Sequence, residues 1–149
     1  MVAKKEDRFG LRALAPQILK PLRKLRGVPP PQMAARMNIS PRAYNDFESG
    51  RTGLLVERVM LFAEILKLDQ NAILTAFVQR KPQIALAHVE NKFMLVQASA
   101  VDEFDAEMHA AIAAVDPLTM LDAHMQLYAQ LAEHGRAQIR AKGGKGPTA

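Results

Sequence analysis

Apolar residues recur at spacings of three and four along most of the chain, and this spacing predicts helices. Between residues 16 and 80, proline, glycine and capping residues divide the pattern into five segments. Valine, isoleucine and threonine do not cluster in alternating runs bounded by hairpin turns. The sequence therefore predicts an all-α fold, with the first five helices at about 16–26, 31–37, 40–49, 55–66 and 70–79.

The third of these helices has signals at both ends. Ser40 can cap its N-terminus, and Pro41 occupies the first helical position, where a missing N–H costs nothing. Gly50 can close the C-terminus. Between the two ends stand three polar side chains suited to recognition, Arg42, Asn45 and Asp46.

Beyond residue 82 the apolar spacing becomes heptad-like and runs from Ile84 to Val115, weakened by Asn91 and Asp105. A hairpin of two short strands around residues 90–92 is an alternative for this segment. Asp116 and Pro117 then end one helix and begin the last, at about 117–142. We expect residues 82–142 to form a long-helix dimerisation or interaction region, because its apolar stripes need a partner. Whether they pack within one chain or between two is left open.

Charge divides the chain near the same point. Residues 1–81 carry 15 Lys and Arg against 7 Asp and Glu, whereas residues 82–149 carry 5 against 8. This asymmetry favours a polyanionic partner for the first part only. The predicted organisation is a basic flexible arm at 1–15, a compact domain at 16–80, the helical region at 82–142 and a flexible tail at 143–149.

Composition excludes several classes of protein. The chain contains no cysteine, which excludes disulfides and thiolate metal sites. No apolar run approaches the length of a membrane span, and the first residues lack the apolar segment of a secretory signal. The histidines lack metal-binding spacing, and no phosphate loop, nucleophile motif or catalytic carboxylate pair occurs. We expect a cytoplasmic, nucleoid-associated protein with no enzymatic activity, cofactor, metal or membrane partner.

Residues 33–47 have the spacing of a helix-turn-helix. Ala34 is small where two helices would cross closely, and Asn38 falls four residues later, where the backbone must become left-handed. Ile39 occupies the apolar position just past the turn, and Tyr44 falls at an inward position of the second helix. With these positions fixed, Arg42, Asn45 and Asp46 lie on its outward side.

These segments resemble the lambda-repressor/Cro-like (XRE-type) helix-turn-helix family over about residues 18–75. The resemblance rests on "LRKLRG", "QMAARMNIS", "PRAYNDFESGR" and "ERVMLFAEILKLD". It implies a five-helix DNA-binding domain whose 40–49 helix enters the major groove. It also implies a partly buried ion pair between Arg23 and Glu48.

Two positions depart from the family pattern. Pro30 stands where the family usually has a phosphate-binding glutamine at the start of the second helix. Pro41 stands at the first position of the recognition helix, where a polar residue often contacts a base. The glutamine contact is therefore lost or replaced, and Pro41 offers only shape and apolar contact.

The chemistry of the outward side chains suggests their targets in DNA. Arg42 can donate two hydrogen bonds to guanine, Asn45 can pair with adenine, and Asp46 can accept from cytosine or position Arg42. For the DNA backbone the predicted contacts are Ser40, Arg36, Arg51 and Thr52. Sequence-independent affinity is expected from four basic residues of the arm, Lys4, Lys5, Arg8 and Arg12.

The resulting hypothesis is a bacterial or phage-type transcriptional regulator that binds double-stranded DNA, with repression preferred to activation. One such domain contacts only a few base pairs, so a homodimer formed through residues 82–142 on a near-palindromic operator is expected. Two alternatives assign the C-terminal helices to a protein partner. One is an interaction protein with secondary DNA binding, and the other is an antitoxin that represses its own promoter.

Overall fold

The computed structural model describes Asp7 and residues 9–143. These residues contain eight α-helices and no strand, which confirms the all-α prediction and excludes the hairpin. The chain divides into two compact units, unit 1 (residues 1–102) and unit 2 (residues 103–149). The helices are α1 (Leu11–Leu25), α2 (Pro30–Arg36), α3 (Pro41–Glu48), α4 (Val56–Leu66), α5 (Gln70–Val78), α6 (Pro82–His88), α7 (Phe93–Ile112) and α8 (Pro117–Ala141).

The core of unit 1 is built from α1 to α6. Helix α1 packs against α3, α5 and α6, while α2 packs on α3 and α4 packs on α5. Helices α1 to α5 bury apolar residues at spacings of three and four, and this burial supplies the main driving force for the packing. In α6 the buried residue is Ala85, and not Ile84 of the predicted stripe. The largest fully buried side chains are Ile18, Leu19, Leu22, Met33, Tyr44, Phe47, Val59, Phe62, Ile73, Phe77 and Val89.

Helix α1 begins at Leu11 and not at Pro16, which corrects the predicted boundary of the arm. The Asp7 carboxylate accepts hydrogen bonds from the Leu11 and Arg12 amides, both at 3.0 Å, and so caps the first turn. Pro16 therefore lies inside the helix, where it cannot donate to the carbonyl of Arg12. Residues 1–6 and 8 of the predicted arm, and residues 144–149 of the predicted tail, lie outside the described residues.

The heptad-like segment after residue 82 does not form one continuous helix. Helix α6 ends at His88, Lys92 adopts a left-handed conformation with φ of 55°, and α7 begins at Phe93. The Asn91 side chain accepts a hydrogen bond from the Phe93 amide at 3.0 Å, so the polar residue that weakened the stripe caps the next helix. The predicted boundary at 81/82 also moves, because α6 packs on α1 and α5 and the division into units falls after Asp102.

Asp69 joins two helices of unit 1. One carboxylate oxygen accepts from the amides of Asn71, at 2.8 Å, and Ala72, at 3.3 Å, as expected for the cap of α5. The other oxygen accepts from the Leu95 amide, in the first turn of α7, at 2.9 Å. A buried carboxylate needs such donors, and here it obtains them from the N-termini of two helices.

In unit 2, helix α8 starts as predicted and has no buried residue. The Asp116 carboxylate accepts from the Leu118 and Thr119 amides, both at 3.0 Å. The hydroxyl of Thr119 is the main cause of a lowered pKa at Asp116. None of the described helices is both long and apolar enough to cross a membrane.

Gly50 is expected to be the least replaceable glycine of unit 1. It has a φ of 73°, and a Cβ there would lie 1.9 Å from the carbonyl oxygen of Arg12. We expect Gly50→Ala to lower the free energy of unfolding by about 3 kcal/mol, through backbone strain and displacement of α1. Urea denaturation of the purified variant measures this loss.

Two other glycines separate the effect of backbone strain from the effect of the close contact with α1. Gly27 has a φ of 63° with no atom within 4 Å of a Cβ, so Gly27→Ala tests strain alone and should cost about 1 kcal/mol. Gly53 has neither strain nor a close neighbour, so Gly53→Ala should change stability by less than about 0.5 kcal/mol. A Gly50 variant no less stable than the Gly27 variant would contradict the close contact with α1.

Candidate functional site

The candidate site is centred on α3, whose position is set by its connection to α2. Asn38 adopts the left-handed conformation with φ of 52°, which asparagine tolerates better than most residues. The amide of Ile39 donates to the carbonyl of Ala34 at 3.0 Å, which closes the turn. Ser40 then accepts from the Ala43 amide at 3.1 Å and caps α3. Asn38 thus has the predicted left-handed conformation, and Ser40 is the predicted cap.

The inner side of α3 is packed by aromatic residues. Tyr44 and Phe47 meet edge to face with ring centroids 6.3 Å apart, and Phe47 meets Phe62 of α4 in the same way at 6.2 Å. All three rings are buried. Edge-to-face contacts add to the energy of burial, so these rings fix which side of α3 faces the core.

A buried polar network connects α3 to α1. The Arg23 side chain donates from Nε to Glu48 Oε1 at 2.6 Å and from Nη2 to Oε2 at 3.2 Å. Its Nη1 donates to the carbonyl of Val28 at 2.9 Å, and the Tyr44 hydroxyl donates to Glu48 Oε1 at 3.1 Å. The structure thus brings together the two residues that the resemblance paired, and both are less than a tenth exposed.

The pKa values of two side chains in the network, Arg23 and Tyr44, are raised. The hydrogen bond that the Arg23 side chain donates to Glu48 is the main cause that raises the pKa of Arg23, which therefore stays charged. Burial, followed by the nearby Glu48 charge, raises the pKa of the Tyr44 phenol, which therefore stays protonated and able to donate. The three side chains form one charge-assisted unit that holds the end of α3 on α1.

The outer side of α3 presents the predicted polar residues to different extents. Arg42 and Asn45 are exposed, so their side chains are accessible to a partner. Asp46 is only partly exposed, and its carboxylate lies 3.4 Å from the Arg51 guanidinium. Asp46 is therefore paired with Arg51 and not with Arg42, the partner suggested by the sequence.

The four predicted backbone contacts are not equivalent. Ser40 and Arg51 are exposed at the two ends of α3. Arg36 lies in the last turn of α2, where the helix dipole disfavours an anion, and it lines a cleft with Arg26 and Lys67 that contains no residue of α3. The Thr52 hydroxyl is buried, with no hydrogen-bond partner among the described residues, so it is not presented at the surface.

Lys20 also belongs to the candidate site, although it was not among the predicted contacts. This exposed residue of α1 lines a cleft of about 310 Å³ together with Asn45, Ser49 and Arg51 of the α3 segment. Only the packing of α1 on α3 brings Lys20 to this place. Its position just after the buried pair Ile18 and Leu19 shows that it points outward but does not identify its neighbours.

This surface presents several hydrogen-bond donors and positive charges. A guanidinium and an amide lie one helical turn apart, with Lys20 and Arg51 beside the amide. Such groups donate to oxygen and nitrogen acceptors and attract negative charge. Among the described residues, no group of three or more histidine or acidic side chains is placed to hold a metal ion.

Comparisons with known proteins found no match among protein-family models, curated proteins or solved structures.

The network predicts that Glu48 contributes to stability. Glu48→Gln leaves Arg23 buried without its counter-charge, and we expect the free energy of unfolding to fall by about 3 kcal/mol. The matched control is Glu64→Gln, the same chemical change at an exposed position of α4, where the expected change is below about 0.5 kcal/mol. Urea denaturation of both variants measures the difference. Equal stabilities would show that the ion pair does not stabilise the domain.

Proposed function

We propose that the chain is a sequence-specific DNA-binding transcriptional regulator that acts as a repressor. The single observation that carries the proposal is the division of α3 into two sides. Tyr44, Phe47 and Glu48 are buried against α1 and α4, while Arg42 and Asn45 are exposed and free to enter a groove. An α-helix held in this way fits the major groove of DNA.

The resemblance to the lambda-repressor/Cro-like family supports the same proposal. Five helices, α1 to α5, span residues 11–78, and the turn between α2 and α3 contains Asn38 in a left-handed conformation. The pairing of Arg23 with Glu48 corresponds to an ion pair expected from that family. We therefore propose that α2 and α3 act as a helix-turn-helix, with α3 as the recognition helix.

In the proposed complex, Arg42 donates two hydrogen bonds to guanine, and Asn45 makes a paired contact with adenine. Asp46 accepts from cytosine only if its contact with Arg51 is released, so its role is secondary. Ser40, Arg51 and Lys20 bind phosphates on either side of these contacts.

Electrostatics favours DNA over other partners. Residues 1–81 carry 15 basic against 7 acidic side chains, so this segment attracts a polyanion and displaces its counterions. Affinity should therefore fall as the salt concentration rises. Specificity comes from α3, because phosphate contacts carry no direct sequence information.

Dimerisation is part of the proposal because one α3 contacts only a few base pairs. Two copies related by a two-fold axis would present two recognition helices to successive major grooves and select a near-palindromic operator. A dimer bound across a promoter would exclude the transcription machinery, which is the simplest form of repression.

Arg42 is the residue whose removal tests the proposal. We expect Arg42→Ala to lower affinity for the preferred duplex by about tenfold or more per half-site, since a bidentate contact with guanine contributes about 1–3 kcal/mol. The measurement is selection of bound duplexes from a random pool, followed by competition titrations at fixed salt. Arg42→Lys, which keeps the charge but loses the planar fork, should retain binding to random DNA and lose sequence preference.

Arg80→Ala is the matched control. It also removes one arginine, but Arg80 follows α5 and lies outside α2, α3 and the turn between them. It should leave the selected sequence unchanged. Selection of the same sequence by the Arg42→Ala variant would assign base recognition to a different helix. If the wild-type chain prefers no sequence by even tenfold at physiological salt, the proposed function fails.

A further inference from the structure

We propose that α8 pairs in antiparallel orientation with α8 of a second copy of this chain, and that this pair is the dimer contact. The inference rests on the proposed function, which supplies the expectation of a dimer. It adds the surface that forms the contact, the antiparallel orientation of the two helices and their register. We assign the partner as a second copy of this chain, because the side-chain sizes and charges along α8 complement those of the same helix running in the opposite direction.

The apolar side chains of α8 are not buried in the part of the chain that the structure describes. No residue of the helix is buried, and Leu121 and Met125 are each 59% exposed. A helix of this length spans about 37 Å, and leaving such a stripe in water is unfavourable. The stripe advances by alternate steps of four and three and consists of Leu121, Met125, Tyr128, Ala132, Gly135 and Ile139.

Side-chain size changes along this stripe. Its first half contains the large residues Leu121, Met125 and Tyr128, and its second half contains Ala132 and Gly135 before Ile139. In a parallel pair each residue would face its own copy, so Ala132 and Gly135 would form two poorly filled layers.

An antiparallel pair places large residues opposite small ones. With the two-fold axis level with residue 130, Met125 faces Gly135 of the partner subunit, and Tyr128 faces Ala132 of the partner subunit. At each end of the pair, Leu121 faces Ile139 of the partner subunit. Each layer then contains similar volume, as close packing requires.

No contact among the described residues explains a glycine at position 135. Glycine inside an exposed helix is less favourable than alanine, and a Cβ at this position would meet no atom within 4 Å. In the antiparallel pair, the missing side chain makes room for Met125 of the partner subunit.

Charge supports the same register. Asp122 and Arg136 flank the stripe on one side, and in the antiparallel pair Asp122 lies beside Arg136 of the partner subunit, twice by symmetry. In the single chain Arg136 pairs with Glu133 at 3.0 Å, and Arg140 pairs with the same carboxylate at 2.9 Å, so Glu133 keeps a counter-charge when Arg136 turns to Asp122 of the partner subunit. A parallel pair would not bring these opposite charges together.

The absence of cysteine from the chain allows a direct test by disulfide cross-linking. The full chain is prepared as two variants, Leu121→Cys and Ile139→Cys, which are mixed, allowed to exchange and oxidised. We expect a cross-linked dimer with one chain of each kind, formed only in the mixture. The two positions are about 27 Å apart on one helix, so no disulfide can form within a chain.

Gln130→Cys is the matched control, because it lies level with the two-fold axis but on the outer side of the pair. It should not cross-link with itself. Cross-linking of Leu121→Cys with itself would indicate a parallel pair. Absence of cross-linking in the mixture would show that the two stripes do not meet in this register, and either result would overturn the proposal.

Charge reversal provides a second measurement that does not depend on cysteine. Asp122→Arg and Arg136→Asp should each weaken self-association by about tenfold in sedimentation equilibrium, because each places like charges together at two points. The mixture of the two variants should form a heterodimer of wild-type strength. No recovery in the mixture would contradict the register.

These results are distinguishable from failure of the proposed function. DNA selection is measured separately on the wild-type chain. If the expected cross-links form but no DNA sequence is preferred, the α8 pair is supported and the proposal of a regulator is rejected. Sequence preference without the cross-links would retain the regulator and reject the pair.

Discussion

The hydrogen-bonded ion pair between Arg23 and Glu48 is the constraint on which the candidate site depends. Arg23 belongs to α1, Glu48 ends α3, and the Val28 carbonyl that also accepts from Arg23 precedes α2. One guanidinium thus fixes three segments of chain, and a planar group with this many donors tolerates little rotation. Because Glu48 must face α1, the opposite side of α3 must face solvent.

The buried apolar residues and the buried charged residue of α3 hold the helix in different ways. Tyr44 and Phe47 supply apolar area and edge-to-face contacts, which account for most of the energy that holds the helix. A buried ion pair adds less net stability than its Coulomb energy suggests, because both charges lose hydration. Its contribution here is orientation, since an apolar pair at the same place would allow α3 to rotate or slide.

Sequence reasoning succeeded where structure is locally determined. The caps at Ser40 and Asp116 and the left-handed Asn38 depend on a few adjacent residues, and each lies where the pattern placed it. The start of α1 was predicted wrongly, although it too is set by a local contact. Pro16 has the local signature of a first helical position, but Asp7 starts α1 earlier.

Other features could not have been predicted because they depend on packing. The Arg26 side chain donates to the carbonyl of Leu66 at 3.0 Å and pairs with Glu90 at 2.7 Å, partners 40 and 64 residues away. Lys20 joins the candidate site only through the contact of α1 with α3. For Asp46, the sequence allowed several partners, and only the folded structure shows that it pairs with Arg51.

The double role of Asp69 has a consequence for the way unit 1 opens. Its carboxylate caps α5 through Ala72 and holds the first turn of α7 through Leu95. Fraying of either helix start would leave a buried charge with fewer donors, so the two starts are energetically coupled. They should therefore behave as one cooperative unit in amide hydrogen exchange, with the Ala72 and Leu95 amides protected to a similar degree although α6 separates them in the sequence.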